Sequence, residues 1–389
     1  MKSSKNNKKV IFLRSTSIIN DSRASKEINT LVRNGFEVIV LGWDRDGFAV
    51  NQPEQVKEYK LKFFKKKATY GGGIKNLFSL LLFQIWLFFK LTINISKYSI
   101  IHACDFDTAI PAKIVAKIGR KKLVYDIFDY YVHSHKVPVK IEQKIEKAEI
   151  GVINKADVTI ICNEGRYKQI EKANPKKVIV IHNTPNIPEN FEKEVSVIKN
   201  NSNKVKIAYV GILQGNRLLE ELSEEMKNEK DIELHIGGFG RLAEVFENQE
   251  KEQENVFFYG KMKYNDVLKL ESECDILFAT YNPEIKNHKF SAPNKIYEAM
   301  ALGKPIIVCE DTGVDKIIKE NNLGQAIPYD GKEMIRAIKE ITSNNDLMKE
   351  ISKNAKSLYE NKYSWKIMEN SLMSTYKELI DTQEEKIEV

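Results

Sequence analysis

The sequence is poor in the features that mark secreted, metal-stapled and membrane-spanning proteins. It contains four cysteines in 389 residues, none at the paired spacing of a metal site. Each of them lies in an apolar, strand-like run: Cys104, Cys162, Cys274 and Cys309. We therefore expect reduced core cysteines and a cytosolic protein. The polar, basic start Met1–Lys9 also lacks the apolar stretch of a cleavable signal.

The main hydrophobic run is too short to cross a membrane. Its uncharged part, Asn76–Phe89, has 14 residues and ends at Lys90, whereas a spanning helix needs about 20. Two interpretations stay open: a buried or half-buried domain helix, and an interfacial helix that dips into a leaflet. The second is favoured by the lysines just before the run, because basic residues beside an apolar helix attract anionic lipid. These lysines are Lys62, Lys65, Lys66 and Lys67.

The rest of the composition is ordinary for a globular protein. Hydrophobic residues make up 42% and charged residues 30%, which argues against disorder and against an integral membrane protein. A chain of 389 residues exceeds what one core usually serves, so two domains are expected. The net charge of +7 is uneven, since residues 1–100 hold 14 Lys and 4 Arg against 7 acidic residues. The basic half is therefore the amino-terminal one.

Short apolar runs alternate with stretches of helical period, which predicts repeated strand–helix units and parallel sheets. In the first half the predicted strands are Lys9–Ser15, Phe36–Trp43, Val56–Phe63, Ser99–Asp105, Lys121–Asp129, Asp157–Asn163 and Val178–Asn183. In the second half they are Val205–Ile212, Ile232–Phe239, Val256–Lys261, Asp275–Tyr281, Pro305–Glu310 and Gln325–Tyr329. The predicted fold class is α/β with two Rossmann-like halves.

A polar stretch without periodicity, from Asn183 to Asn203, is the best linker candidate. The predicted organisation is a first domain over 1–186, a linker over 187–203, a second domain over 204–363 and a final helix over 364–389. The last residues, Thr382–Val389, are expected to fray.

Residues 288–311 combine a loop, a short helix and a buried strand. Ser291 is expected to cap the helix, Pro293 to occupy its first turn and Gly303 to form a left-handed cap at its end. The amino end of such a helix binds anions, because its unpaired N–H groups and its dipole both favour negative charge.

Three polar residues share one face of this predicted helix, namely Asn294, Lys295 and Glu298. A cation and a carboxylate one turn apart suit a phosphorylated sugar.

The run Ser-Ala-Pro-Asn-Lys-Ile-Tyr-Glu-Ala-Met-Ala-Leu-Gly-Lys-Pro-Ile-Ile, which begins at Ser291, resembles the donor-binding signature of family 4 glycosyltransferases. In that family a glutamate holds the ribose of a nucleotide sugar, and by position it is Glu298. A second glutamate, usually a contact to the donor sugar, is replaced here by Phe290. The resemblance extends over nearly the whole chain and implies the GT-B fold, with two Rossmann-like domains facing across a cleft. It also implies a carboxyl-terminal helix that crosses back onto the first domain.

The same resemblance assigns donor contacts to Ser291, Pro293, Asn294 and Lys295. Gly211 ends a strand where backbone can approach a ligand, and Arg217 at the next helix can fork onto a pyrophosphate. Relatives have two cations in this loop, but Ile212 stands at the first position. Lys295 is therefore the candidate replacement beside Arg217.

Two further donor contacts are predicted beyond that loop. Gly238 lies in a turn of three glycines that either lines the nucleotide or only makes a tight strand-to-helix connection. Met262 comes shortly after a glycine. In the family, the backbone that follows this glycine contacts the nucleotide base.

In the first domain, Arg14 and Arg23 are candidates for binding an acceptor diphosphate, and His102 for contacting the acceptor. The alternative for Arg23 is a solvated side chain beside a helix capped by Ser22. Asp105 and Asp129 close two parallel strands, at the edge where open α/β sheets bind ligands. Two interpretations stay open for each aspartate: it accepts the proton of the acceptor hydroxyl, or it only caps the next helix.

We therefore expect a retaining glycosyltransferase that moves a sugar from a UDP- or GDP-sugar to an acceptor hydroxyl. The resemblance implies no cofactor and no metal. A lipid-linked saccharide of surface polysaccharide assembly is the expected acceptor, with the protein cytoplasmic or at the inner face of the cell membrane. The alternatives are a sugar-nucleotide epimerase of the same fold and a non-catalytic sugar-nucleotide-binding protein. Nucleic-acid binding would account for the positive charge of the first hundred residues, but it gives no role to the polar groups of residues 291–311.

Overall fold

The computed structural model of the chain describes residues 8–18, 21–47, 55–56, 58–68, 76–135, 137–188, 191, 195–200 and 202–384. The predicted linker at 189–190, 192–194 and 201, the predicted tail at 385–389 and the segment 69–75 between the lysines and the apolar run lie outside the described residues. The chain divides into two compact units. Unit 1 comprises Met1–His182 with Lys366–Val389, and unit 2 comprises Asn183–Trp365.

Unit 1 is built on a mostly parallel sheet with helices along the chain between its strands. The strands are β1 Lys9–Leu13, β2 Glu37–Asp44, β3 Gln55–Val56, β4 Tyr59–Lys65, β5 Ile100–Cys104, β6 Lys122–Ile127, β7 Val158–Ile161 and β8 Val178–Val180. The helices are α1 Ser22–Arg33, α2 Leu77–Ile93, α3 Phe106–Gly119, α4 Tyr131–Ser134 and α5 Val139–Ile153. The strand order is β3-β4-β2-β1-β5-β6-β7-β8, and only β3 runs antiparallel to its neighbour.

Unit 2 has the same alternation of strands and helices, and its sheet is entirely parallel. Its strands are β9 Val205–Ile212, β10 Ile232–Phe239, β11 Val256–Phe258, β12 Ile276–Ala279, β13 Ile306–Cys309 and β14 Gly324–Ile327. Its helices are α6 Leu219–Met226, α7 Ala243–Glu252, α8 Tyr264–Glu273, α9 Asn294–Leu302, α10 Asp315–Glu320, α11 Gly331–Thr342 and α12 Asn345–Leu358. The strand order is β11-β10-β9-β12-β13-β14. The predicted α/β class with two Rossmann-like halves is confirmed.

The last helix, α13 Trp365–Glu384, belongs to unit 1 from Lys366 onward. Its Tyr376 hydroxyl lies 2.7 Å from Nδ1 of His102, and the backbone N–H of His182 donates to the sulfur of Met368 at 3.2 Å. The carboxyl-terminal helix therefore packs on the first domain, as the resemblance implied.

Helix α2 is half-buried. Phe83, Leu87 and Leu91 are fully buried and pack in the unit 1 core with Trp43. The opposite face exposes large apolar side chains at Leu77, Phe78, Leu81, Ile85, Phe89 and Ile93. Within the described residues, no helix combines the length and the apolarity that a bilayer span requires.

Candidate active site

The carboxyl end of β9 is the point in unit 2 where the strand order reverses. From β9 the chain builds outward to β10 on one side and to β12 on the other. Open parallel sheets bind ligands at such a reversal, beyond the carboxyl ends of the strands. Gly211, Gly238 and the loop after β12 all lie at this edge.

Glycine is required where the ends of β9 and β10 meet. Gly238 has φ +132°, and a Cβ added to it would lie 1.8 Å from the carbonyl oxygen of Gly211. Gly240 has φ +136°, and its Cβ would lie 2.4 Å from the carbonyl oxygen of Leu213. The glycine turn thus has a packing reason, and its contact with a nucleotide stays a prediction. Met262 packs next to the same turn, since its sulfur would lie 2.8 Å from a Cβ on Gly237.

Helix α9 ends as predicted but begins differently. Gly303 forms the left-handed cap, with φ +65°. The expected cap by Ser291 is wrong, because Pro293 occupies the N-cap position and the Ser291 hydroxyl instead donates to the carbonyl of His288 at 2.9 Å. Asn294 is the first residue of the helix.

Lys295 and Glu298 are both buried on α9. The Lys295 ammonium lies 4.2 Å from the centre of the Tyr209 ring, next to Gly211. A Cβ on Gly211 would come within 2.7 Å of that nitrogen, so the glycine leaves room for the lysine. Among the described residues, no carboxylate forms an ion pair with this ammonium within 4.0 Å. Glu298 accepts a hydrogen bond of 2.9 Å from the Tyr264 hydroxyl.

Glu271 on α8 is a buried carboxyl that sequence reasoning missed. It is 1% exposed, and burial raises its pKa well above the usual range. The nearby negative charge of Glu298 raises the pKa further, and the positive charge of Lys295 opposes the shift. A protonated Glu271 therefore adds no second negative charge beside Glu298.

Arg217 lies in a strained loop between β9 and α6. Its neighbours Asn216 and Leu218 have φ of 63° and 58°, a conformation that non-glycine residues rarely adopt. The Arg217 guanidinium stacks on the Tyr281 ring at 3.8 Å. Its Nε and Nη1 atoms are buried and have no hydrogen-bond partner among the described residues. Arg217 is thus a half-buried cation, and these two donors are unused within the described part of the chain.

A pocket of about 350 Å³ opens beside this loop. It is lined by Ile212, Gln214, Gly215, Asn216, Gly240, Arg241, Ile285 and His288. A Cβ on Gly215 would lie 2.6 Å from Nη2 of Arg241, so this glycine makes room for the arginine. Arg241 and His288 were not predicted as site residues. The only sequence signal for Arg241 is its place directly after the third glycine of the turn.

Unit 1 has an equivalent edge where β1 lies between β2 and β5. Arg14 follows β1 and Asp105 follows β5, and the two form an ion pair. Arg14 also pairs with Asp21 at 2.7 Å. Asp105 accepts the backbone N–H groups of Phe128 at 2.9 Å and Asp129 at 3.1 Å. Burial raises the pKa of Asp105 to about 6 against the lowering effect of Arg14.

Arg23 and His102 are buried beneath this edge. The interpretation of Arg23 as a solvated side chain is wrong, because it is 5% exposed and pairs with Asp126 at 2.6 Å and Glu27 at 3.1 Å. Asp21 rather than Ser22 caps α1. His102 is fully buried, and burial lowers its pKa. Neither side chain reaches solvent in this geometry.

Asp129 is the more accessible of the two candidate proton acceptors. Its side chain is 53% exposed, and Oδ1 accepts from Nη2 of Arg166 at 3.2 Å. Asp105, by contrast, uses its oxygens to hold Arg14 and the 128–129 backbone. The structure places both aspartates at the same sheet edge, as predicted.

Comparison with known proteins agrees with this architecture. The family of glycosyl transferases group 1 matches residues 190–358. No curated protein matches the chain in sequence. The fold is similar to that of sucrose-phosphate synthase from Thermosynechococcus elongatus, with TM-score 0.73 and 14% identity over 96% of this chain and 100% of that one. It is also similar to HepE from Anabaena in complex with UDP-glucose, with TM-score 0.69 and 16% identity over 95% and 99%. WaaG, a glycosyltransferase involved in lipopolysaccharide biosynthesis, follows with TM-score 0.64 and 14% identity over 93% and 98%.

Residues 190–358 therefore match the group 1 glycosyltransferases, and the chain as a whole has the GT-B fold. The match agrees with the resemblance stated for residues 291–307, and the assignment to family 4 stays a prediction.

Proposed function

We propose that the protein is a retaining, metal-independent glycosyltransferase that moves a sugar from a UDP- or GDP-sugar to a hydroxyl of a lipid-linked saccharide. The observation that carries this proposal is a pair of cations, Arg217 and Lys295, that form no ion pair with a carboxylate within 4.0 Å among the described residues and lie near the carboxyl end of β9. HepE, which has the same fold, binds UDP-glucose, and WaaG acts in lipopolysaccharide biosynthesis. These relatives support a nucleotide-sugar donor and a glycan acceptor.

A buried or half-buried cation without an ion-paired carboxylate costs free energy, so its presence indicates a ligand that supplies the missing negative charge. The donor diphosphate is that ligand. Negative charge grows on it as the bond to the sugar breaks, and preorganised cations and helix N–H groups stabilise this charge without a metal. Lys295 in the first turn of α9, Arg217 and the nearby Arg241 supply the cations.

Glu298 is proposed to accept the ribose hydroxyls. Its carboxylate is held by the Tyr264 hydroxyl at 2.9 Å, which fixes the orientation of the side chain before a donor binds. Gly211, Gly238 and Met262 are proposed to line the nucleotide, since they surround the edge where β9 and β10 end.

On unit 1, Asp129 is proposed to meet the acceptor hydroxyl, because it is the exposed carboxylate of the edge. Arg14 and Asp105 form the ion pair beside it and are proposed to hold the 128–129 backbone in place. Arg23 and His102 support this arrangement from within the core.

The exposed face of α2 is proposed to rest on an anionic membrane leaflet. Lys66 lies 4.6 Å from the ring centre of Phe78, so a cation and the apolar face are adjacent. Two weak attractions combine here, because each lysine contributes about 1 kcal/mol near such a surface and the apolar side chains insert below it.

Sedimentation with liposomes tests the membrane contact. We expect binding to vesicles with anionic lipid that weakens at high salt, and weaker binding after Leu81→Gln and Phe89→Ser. No binding at either salt, or equal binding to neutral vesicles, would contradict the membrane contact and weaken the lipid-linked acceptor.

A thermal-shift panel of nucleotide sugars tests the donor. A donor at 100 times its dissociation constant stabilises the protein by about 2.7 kcal/mol, so the correct base and sugar give a clear shift. The best donor is then incubated alone and with acceptors. Transfer to an acceptor supports the proposal, whereas isomerisation of the donor alone identifies the epimerase instead. Binding without either reaction, across a full acceptor panel, favours a non-catalytic binding protein.

A further inference from the structure

His288 lies at the wall of the pocket beside the β9–α6 loop. It belongs to the 3-10 turn Lys286–Phe290, directly before α9, and only 9% of its surface is exposed. The exposed part faces the 350 Å³ pocket that Gly215, Asn216 and Arg241 also line. The ring packs edge-on against Tyr281 with ring centres 5.0 Å apart. The imidazole is therefore fixed in position and in contact with the pocket.

The hydrogen bond at Nδ1 defines the protonation state of this histidine. Nδ1 lies 2.8 Å from the carbonyl oxygen of Asn282, and a carbonyl only accepts, so Nδ1 carries the proton. Burial lowers the pKa of His288, and the positive charge of Arg217 acts in the same direction. The neutral ring then has a lone pair on Nε2. Among the described residues, none forms a hydrogen bond with Nε2.

The neutral Nε2 acceptor of His288 favours a ligand group that donates a hydrogen bond. Phosphate oxygens are acceptors and gain nothing from Nε2, whereas a sugar hydroxyl donates to it. The resemblance expects a sugar-binding carboxylate at Phe290, and the side chain there is apolar. His288, two residues earlier, offers an acceptor of a different chemical type at the same loop.

We infer that His288 is a specificity-determining residue whose Nε2 accepts a hydrogen bond from one hydroxyl of the donor sugar. The inference rests on the proposed function, because it assumes a nucleotide-sugar donor in this pocket. A neutral imidazole discriminates by the position of a single hydroxyl, since the analogue that lacks it leaves Nε2 without a donor.

The test compares His288→Asn with the wild type. Asparagine keeps a donor toward the Asn282 carbonyl and removes the acceptor at the Nε2 position, whereas His288→Gln places an amide oxygen near that position. The affinities for UDP and UDP-glucose are measured by calorimetry, or for GDP and GDP-mannose if the guanine pair gives the larger thermal shift. Monodeoxy analogues of the bound sugar complete the set, and His135→Asn, at an exposed histidine of unit 1, is the matched control.

We expect His288→Asn to bind the nucleoside diphosphate as the wild type does and to lose about 3- to 10-fold in affinity for the nucleotide sugar. For the wild type, one deoxy analogue should bind more weakly than the complete nucleotide sugar, by a similar factor. For His288→Asn, that analogue and the complete nucleotide sugar should bind equally well. His288→Gln should recover part of the loss. An equal loss for the diphosphate and the nucleotide sugar, or an unchanged preference for every hydroxyl, would overturn the inference. A wild type that binds UDP and GDP but no nucleotide sugar would instead overturn the proposed function.

Discussion

Replacing Arg217 with methionine should separate ligand binding from stability. The Nε and Nη1 atoms of Arg217 are buried without partners, and each unsatisfied donor costs about 1–3 kcal/mol. Stacking on Tyr281 at 3.8 Å offsets about 0.5–2 kcal/mol of that cost. The free energy of unfolding of the unliganded protein should therefore stay unchanged or rise after Arg217→Met.

The same substitution should weaken donor binding. A charge-assisted hydrogen bond contributes about 1.5–3 kcal/mol, so the dissociation constant of the nucleotide sugar should rise roughly 10- to 150-fold. Thermal unfolding without ligand and calorimetry with the donor measure the two effects on the same samples. Arg336→Met is the control, because Arg336 is 65% exposed and pairs with Glu333. A fall of more than about 5 °C in Tm together with unchanged donor affinity would refute the reasoning.

Three further substitutions test other parts of the account. Glu298→Gln should weaken donor binding and turnover much more than Tyr264→Phe, which removes only the 2.9 Å bond to the carboxylate; equal effects in calorimetry would argue against a ribose contact. Gly238→Ala should destabilise unit 2 in thermal unfolding, because its Cβ would lie 1.8 Å from a carbonyl oxygen, and a wild-type Tm would contradict the close approach. Burial raises the pKa of Glu149 from 4.5 to about 8, so the folded state keeps a proton that the unfolded state loses. Stability should fall as pH rises through this window, by several kcal/mol at most since one pKa unit is about 1.4 kcal/mol, and Glu149→Gln should flatten that dependence in denaturant titrations; an unchanged slope would contradict the shift.

The strands were predictable because buried parallel strands are nearly continuous apolar runs. Val205–Ile212 and Ile232–Phe239 have the predicted bounds, and the other predicted strands occur with ends shifted by a few residues. The predicted strand Val56–Phe63 corresponds to two antiparallel strands, β3 and β4, because β3 is too short to show a period of its own. The left-handed cap at Gly303 was predictable because glycine tolerates that conformation best. The cap at Ser291 was predicted wrongly because several residues before a helix are capable of capping it.

The roles of polar residues were less predictable, because their partners are distant in sequence. Arg23 was predicted either to bind an acceptor diphosphate or to be solvated. Its partner Asp126 lies 103 positions away, and only the folded sheet brings the two together. Arg241 and His288 reach one pocket through two separate loops, so neither loop reveals the pocket by itself. Helix α9 was predictable because Pro293, Lys295, Glu298 and Gly303 lie close together in the sequence, and anion binding at its amino end stays a prediction.

The central claim is that Arg217 and Lys295 are reserved for the donor diphosphate. Its most direct test is the affinity of UDP relative to UMP, or of GDP relative to GMP, for the wild type and for the double variant Arg217→Met/Lys295→Met. We predict that the diphosphate binds the wild type at least tenfold more tightly than the monophosphate and that the double variant loses this difference. Equal affinity of the wild type for the two nucleotides, or an undiminished preference in the double variant, would contradict the claim.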